Sequence, residues 1–85
     1  MSSGGLANLE AFEGTVTEET TIALKRYSRK LVITNDHGTQ VMTYKFNTSE
    51  TAATLKGTET LSMGFRTKTI IINGSSVPYR IWSFG

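Results

Sequence analysis

The side chains that could carry catalysis in this sequence are few and far apart. His37 is the only histidine and the chain contains no cysteine, so a disulfide or thiolate metal site cannot form and a histidine-based metal site is not expected. Nucleophilic catalysis needs a nucleophile, a base and an orienting group. His37 lies inside an Asn-Asp-His-Gly turn, however, and no serine stands in a nucleophile-elbow context. We therefore interpret His37 as a solvated turn residue.

The carboxylates do not form an acid–base pair either. Glu18 and Glu19 are adjacent, and in a strand neighbouring side chains point to opposite faces. The other acidic residues are scattered among turns and strand entries, where solubility explains them. No glycine-rich loop opens a helix to hold a phosphate, and Asn35 with Asp36 supplies too few oxygens for calcium. We expect no enzymatic activity, no cofactor and no metal.

The most conspicuous charged segment spans residues 25–30. Its four cations, Lys25, Arg26, Arg29 and Lys30, flank one aromatic side chain, an arrangement that can bind a nucleic-acid backbone and stack a base. The alternative is a solvated turn in which lysines protect a sheet edge. We favour the turn and expect no nucleic-acid partner, because the net charge is only +2 and such a charge alone does not indicate one.

Trp82, the only tryptophan, shares one face of the last predicted strand with Arg80 and Phe84. It is either a core residue or an interface anchor, because tryptophan and arginine are frequent among the residues that contribute most to binding. Both faces of this strand are apolar, so a neighbouring subunit could cover one of them. The candidate interface residues are Leu6, Leu9, Arg80, Trp82 and Phe84.

Apolar and polar side chains alternate with period two along the chain, and no window has the i, i+3, i+4, i+7 spacing of an amphipathic helix. Threonine, serine, isoleucine and valine also favour strands and turns. Residues 51–55 form either a strand or one loose helical turn. Strands are predicted over residues 9–16, 20–27, 31–34, 40–47, 59–65, 67–72 and 77–84. The pattern predicts an all-β fold, a small antiparallel β-sandwich or jelly-roll-like barrel.

Turn signals separate these strands. Residues 35–38, Asn-Asp-His-Gly, predict a turn. Asn73 and Gly74 between two apolar β runs predict a hairpin that pairs residues 67–72 with residues 77–84. Because Pro78 cannot donate a ladder hydrogen bond, its end of the last strand is expected at a sheet edge or near the turn.

A chain of 85 residues suffices for one domain. We expect a flexible N-terminal arm over residues 1–11 and a single β-sandwich domain over residues 12–85. Residues 1–11 have neither the basic start nor the apolar run of a signal peptide, and no stretch reaches the ~20 apolar residues of a membrane span. A core this small usually needs support from outside, so self-association or docking on a larger body is expected.

Five runs of the sequence follow a rhythm of strands and turns found in a known group of proteins. The runs are Leu31 to Gly38, Tyr44 to Phe46, Leu55 to Leu61, Thr69 to Ile72 and Val77 to Gly85. Over residues 31–85 the chain thereby resembles small β-sandwich proteins of tailed-bacteriophage virions.

This resemblance implies a multicopy structural component, a capsid decoration or a neck, tail or fibre protein, that is often a homo-oligomer such as a trimer. It implies assembly in the host cytoplasm, a place in the virion, and binding to capsid, neck or tail subunits. It implies no active site, cofactor, signal peptide or membrane partner. The arm would fit strand addition to a neighbour's sheet edge; an ordinary disordered terminus is the open alternative.

A second hypothesis is a small ligand-binding β module. For a glycan, Tyr27, Tyr44 and Trp82 would serve as stacking platforms. For single-stranded nucleic acid, the cations of residues 25–30 would bind the backbone.

Overall fold

Eight strands make up the part of the chain that the computed structural model describes, residues 9–85. They are β1 (Leu9–Val16), β2 (Thr20–Ala23), β3 (Lys30–Asn35), β4 (Met42–Lys45), β5 (Ala53–Leu55), β6 (Thr60–Met63), β7 (Thr69–Gly74) and β8 (Val77–Phe84). No helix within residues 9–85 is long and apolar enough to cross a membrane. The prediction of an all-β chain is confirmed, and residues 51–55 contain a strand rather than a helical turn.

The strands form two four-stranded sheets that pack face to face. Sheet A has the order β1-β8-β3-β6 and sheet B the order β2-β7-β4-β5. All of the strand pairs are antiparallel. Apart from β4 and β5, consecutive strands lie in opposite sheets, which is the arrangement of a jelly roll. The structure thus selects the jelly roll among the sandwich topologies that the sequence allows.

Apolar side chains, most of them branched aliphatic, fill the space between the two sheets. They occupy alternate positions of each strand, as period-two patterning requires. Each one that leaves water completely contributes about 1.5–3 kcal/mol. Those with no exposed surface are Leu31, Ile33, Met42, Ile70, Ile72, Val77 and Ile81.

The predicted hairpin between the last two strands is wrong. β7 pairs with β2 and β4 in sheet B, whereas β8 pairs with β1 and β3 in sheet A, so the turn at residues 75–76 crosses between the sheets. A side-chain carbon at Gly74 would lie 3.1 Å from methyl carbons of Val16 and Val77. Glycine is therefore needed for close approach of the sheets, and Ser76 is the residue in the left-handed region, at φ 59°.

Several strand boundaries differ from the prediction by one to four residues, and the differences at the arm and at the end of β2 have an identifiable cause. The strand predicted over residues 9–16 is confirmed as β1, so residues 9–11, which were also assigned to the arm, belong to the sheet: Leu9 lies opposite Phe84 and the ladder with β8 is continuous from there. Residues 1–8, the rest of the predicted arm, lie outside the described residues, and with them the candidate interface residue Leu6. β2 ends at Ala23 rather than residue 27, because the Glu10 carboxylate accepts the N–H groups of Lys25 and Arg26 at 3.0–3.3 Å, which removes them from a ladder.

Pro78 lies near the turn, and not at a sheet edge. β8 is an inner strand of sheet A, between β1 and β3. Pro78 lies opposite Thr15 of β1, while the ladder with β3 starts one residue later, at Tyr79. The Pro78 carbonyl accepts the Asp36 N–H at 2.9 Å, so the proline is tolerated because it stands where one neighbouring strand has already ended.

Asn35 is a buried strand residue and not simply the first residue of a turn. Its side chain has no exposed surface. Its Nδ2 donates to the carbonyl oxygens of Gln40 at 2.9 Å and Leu55 at 3.0 Å, and its Oδ1 accepts the His37 N–H at 2.8 Å. One amide therefore joins the end of β3, the β3–β4 loop and the end of β5.

Replacing Asn35 by aspartate should destabilise the fold while keeping the side-chain shape. In Asn35→Asp a carboxylate oxygen would replace the Nδ2 donor, so it would face the Gln40 and Leu55 carbonyl oxygens without a hydrogen bond. The variant would also bury a charge. The free energy of unfolding should therefore fall by at least about 2 kcal/mol. Urea unfolding followed by Trp82 fluorescence measures it. Asn73→Asp, at an exposed position of β7, should change it by less than about 0.5 kcal/mol; equal losses would contradict the role given to Asn35.

Candidate functional site

The outer face of sheet A gathers apolar side chains from three strands. Trp82 of β8 lies opposite Ala11 of β1 and Val32 of β3, and Phe84 lies opposite Leu9. Trp82 points outward because the positions on either side of it in β8 are buried in the core. We call the five residues Leu9, Ala11, Val32, Trp82 and Phe84 the outer band.

An ion pair lies at the border of the outer band. The Arg80 guanidinium donates from Nε to Asp36 Oδ2 at 2.7 Å and from Nη2 to Asp36 Oδ1 at 2.9 Å, a bidentate geometry. The hydrogen bond and charge of Asp36 raise the pKa of Arg80 above its usual value. The guanidinium carbon is also 5.3 Å from the centre of the Trp82 ring. The pair thus fixes Arg80 beside Trp82, where a groove of about 150 Å³ opens against Ala11 and Glu13.

The structure brings most of the sequence-predicted interface residues onto one surface. Leu9, Arg80, Trp82 and Phe84 all lie on the outer face of sheet A. Trp82 is half-buried and does not belong to the core cluster, so its interpretation as a core residue is wrong. Sequence reasoning missed Ala11 and Val32. Alternation assigns each to a face of its own strand, but it does not reveal that β1 and β3 flank β8.

A second cluster forms where two loops meet at one end of the sandwich. The β2–β3 loop, residues 24–29, lies against the β6–β7 loop, residues 64–68. The first loop and the start of β3 carry the four predicted cations, and the second loop adds two that sequence reasoning missed. We call these six exposed residues the basic end: Lys25, Arg26, Arg29, Lys30, Arg66 and Lys68.

Buried Ser28 holds the two loops together. Its N–H donates to the Thr67 carbonyl at 2.8 Å, its hydroxyl accepts the Thr67 N–H at 3.1 Å, and the same hydroxyl donates to the Phe65 carbonyl. The next residue, Arg29, donates its N–H to the Phe84 carbonyl at 2.6 Å. The backbone that presents the basic end is therefore set by internal hydrogen bonds and not by solvent.

Two exposed aromatic rings lie among these cations. Tyr27 is 50% exposed and Phe65 is 38% exposed. The Arg66 guanidinium carbon lies 4.0 Å from the centre of the Tyr27 ring, and Lys68 Nζ lies 5.5 Å from it. A groove of about 440 Å³ runs between the loops, lined by Tyr27, Ser28, Arg29, Gly64, Phe65, Arg66 and Gly85.

The other residues considered for catalysis or ligand stacking, His37 and Tyr44, make contacts within a loop and with the core. His37 is half-buried, and its Nδ1 accepts the N–H groups of Thr39 at 3.0 Å and Gln40 at 2.9 Å. It therefore closes the β3–β4 loop. Tyr44 packs against the core, which removes it from the proposed stacking platforms. Within residues 9–85 no three histidine or acidic side chains converge as a metal ion would require.

No protein-family model and no curated protein sequence matches the chain. Among solved structures, the chain is similar to a cupin-2 domain protein from Shewanella frigidimarina, with 11% identity, 92% of this chain and 72% of that chain covered, and a TM-score of 0.59. It is similar to a cupin superfamily protein from Desulfitobacterium hafniense, with 10% identity, coverage of 91% and 67%, and a TM-score of 0.60.

It is also similar to an HTH_3 family transcriptional regulator from Vibrio cholerae, with 18% identity and a TM-score of 0.61. There 92% of this chain is covered but only 44% of the regulator, so the chain spans less than half of that protein. At identities this low, the likenesses show a common β-sandwich fold and carry no information on binding or catalysis.

Removing the Ser28 hydroxyl should loosen the basic end. In Ser28→Ala the Phe65 carbonyl and the Thr67 N–H lose a buried partner, so the free energy of unfolding should fall by about 1–3 kcal/mol. Amide hydrogen exchange at Thr67 should accelerate more than exchange in β3. Ser62→Ala, at an exposed position of β6, is the matched control. Unchanged exchange at Thr67 would show that Ser28 does not join the loops.

Proposed function

We propose that this chain is a structural component of a tailed-bacteriophage virion, a capsid decoration or connector-type protein that acts by protein–protein binding. The observation that carries the proposal is the outer band. The side of a sheet that faces water normally carries polar side chains, yet here tryptophan, phenylalanine, valine and leucine lie side by side across three strands. Such clustered apolar surface is typical of a site that another protein covers.

The composition of this surface resembles the centre and rim of a protein interface. Aromatic residues and arginine are enriched in interface centres, while polar groups surround them. Trp82 and Phe84 supply the aromatic groups, and Lys30 with the Arg80–Asp36 pair supplies the polar border. Because Asp36 already holds Arg80 in place, little side-chain entropy would be lost when a partner covers Trp82.

The interior of the sandwich supports binding in preference to catalysis. Aliphatic side chains fill the space between the sheets, so the groups available to a partner lie on the outside. The single imidazole is occupied by backbone N–H groups. Chemistry would require a nucleophile and a base within reach of each other. The groove beside Trp82 has the Glu13 carboxylate but no hydroxyl, and the groove between the loops has the hydroxyls of Tyr27 and Ser28 but no side-chain carboxylate or imidazole.

Self-association is the simplest use of the outer band. The band reaches β1, the edge strand of sheet A as far as the chain is described, so a second copy could cover apolar side chains and meet a sheet edge together. A domain of this size also has a thin core and gains from burying more surface. We propose a homo-oligomer, with the trimer of similar virion proteins as the expected form.

The solution mass of outer-band variants tests the proposed self-association. Light scattering of the unaltered chain should give an oligomer whose mass is unchanged between low and high salt, because apolar contacts are not screened. Trp82→Glu and Val32→Glu should each give monomers, since both bring a charge into the covered surface. Val41→Glu, at an apolar residue that is 50% exposed outside the outer band, should leave the oligomer intact.

Circular dichroism and thermal unfolding establish that each variant is folded before its mass is interpreted. A folded Val32→Glu variant that remains oligomeric would exclude the outer band as the contact. A monomeric unaltered chain would exclude self-association and leave binding to other virion proteins as the use of this surface.

The place in the virion has a separate test. Particles purified on a density gradient from an infected culture that produces this chain should contain it in a constant ratio to the major capsid protein, as measured by quantitative peptide mass spectrometry. Particles assembled with Trp82→Glu should contain less of it, because the proposed contact is weakened. Its absence from purified particles would refute the assignment.

A further inference from the structure

Charge is divided unevenly between the two ends of the sandwich. The basic end has six of the nine lysines and arginines in the chain. The loops at the opposite end, residues 17–19, 36–41, 56–59 and 75–76, carry one cation and four carboxylates: Lys56, Glu18, Glu19, Asp36 and Glu59. The formal charge of +2 therefore conceals one strongly positive end.

The carboxylates near the basic end are already bound to N–H groups. Glu10 accepts the N–H groups of Lys25 and Arg26, and Glu50 accepts the N–H of Phe46 and the side-chain amide of Asn47. Within residues 9–85, neither carboxylate forms an ion pair with Lys25, Arg29, Lys30, Arg66 or Lys68. The positive charge of these five side chains is therefore available to an anionic ligand.

The aromatic rings narrow the class of anion. Tyr27 and Phe65 expose ring surface inside the groove that Arg29 and Arg66 line. Cations along a groove with exposed rings fit a single-stranded nucleic acid, whose phosphates pair with the cations while its unpaired bases stack on the rings. A duplex keeps its bases stacked on one another, and the carboxylate side chains of an acidic polypeptide offer no aromatic face to stack on Tyr27.

We propose that the basic end binds single-stranded nucleic acid without sequence preference. The phosphates contact the cations of the two loops, and one base stacks at Tyr27 and Phe65. Ser28 and Glu10 hold the loops in the geometry that creates the groove. This site goes beyond the proposed function, because it lies on the loops at one end, while the outer band lies on a sheet face.

Fluorescence anisotropy of a labelled oligothymidylate of about 12 nucleotides, titrated with the full chain, measures this binding. A dissociation constant of about 10⁻⁴ to 10⁻⁶ M is expected at physiological salt. The logarithm of the association constant should fall with the logarithm of salt concentration with a slope of about −2 to −3.5, which corresponds to between about three and five phosphate contacts.

Matched variants separate charge from stacking. Arg66→Gln should reduce the salt slope by about 0.7, the value for one lost phosphate contact, whereas Lys56→Gln at the opposite end should leave binding unchanged. Tyr27→Ala should weaken binding by about five-fold or more, and Tyr27→Phe should retain it because the ring persists. Thermal unfolding confirms that the variants are folded. Trp82→Glu should still bind the oligonucleotide, which distinguishes this site from the outer band.

Several outcomes would overturn the proposal. One is no binding by the unaltered chain at low salt, and another is equal binding by Tyr27→Ala and Tyr27→Phe. A third is polyglutamate or duplex DNA binding as tightly as the oligonucleotide, which would indicate a general anion surface. A fourth is self-association that salt abolishes, together with no oligonucleotide binding. That result would show that the basic end binds the opposite, acidic end of another copy of the chain.

Discussion

The filled space between the two sheets is the constraint on which the rest of this structure depends. Inward positions of both sheets carry mostly branched aliphatic side chains, which pack into one buried cluster. Most charged groups and the exposed aromatic rings therefore lie on the outer face of sheet A and in the loops at the ends, while Phe12, Tyr44 and Tyr79 pack against the core. At Gly74 the sheets come so close that a side-chain carbon would meet Val16 and Val77. The same packing that stabilises the fold decides where binding can occur.

A few buried polar side chains then determine the shape of the ends. Asn35 joins the end of β3 to the β3–β4 loop and β5 at one end, and Ser28 joins the β2–β3 and β6–β7 loops at the other. Both satisfy backbone groups that have no ladder partner, which is where a buried hydrogen bond matters most. Because Ser28 lies between the cations of two loops, a bond that serves folding also creates the basic end.

The two candidate surfaces depend on different interactions and meet only at Lys30, which belongs to the basic end and lies opposite Phe84 of the outer band. The outer band offers apolar area on a sheet face, where binding gains from removal of water and is insensitive to salt. The basic end offers charge and exposed rings on loops, where binding weakens as salt is added. A subunit covered on one surface can still present the other. A jelly roll supports many unrelated functions, so the proposed functions rest on these two surfaces and not on the fold.

Local features of the sequence were enough to predict the all-β fold, seven of the eight strands within residues 9–85, and the shared face of Arg80, Trp82 and Phe84, because side-chain alternation depends only on neighbouring residues. They did not decide whether that face points into the core or outward. Strand partners were not predictable in this way. The Asn73-Gly74 turn indicates a hairpin, but β7 and β8 belong to different sheets, since the choice of partner depends on the packing of the whole chain. For the same reason only the tertiary structure brings Arg66 and Lys68 to residues 25–30, and Val32 and Ala11 to Trp82.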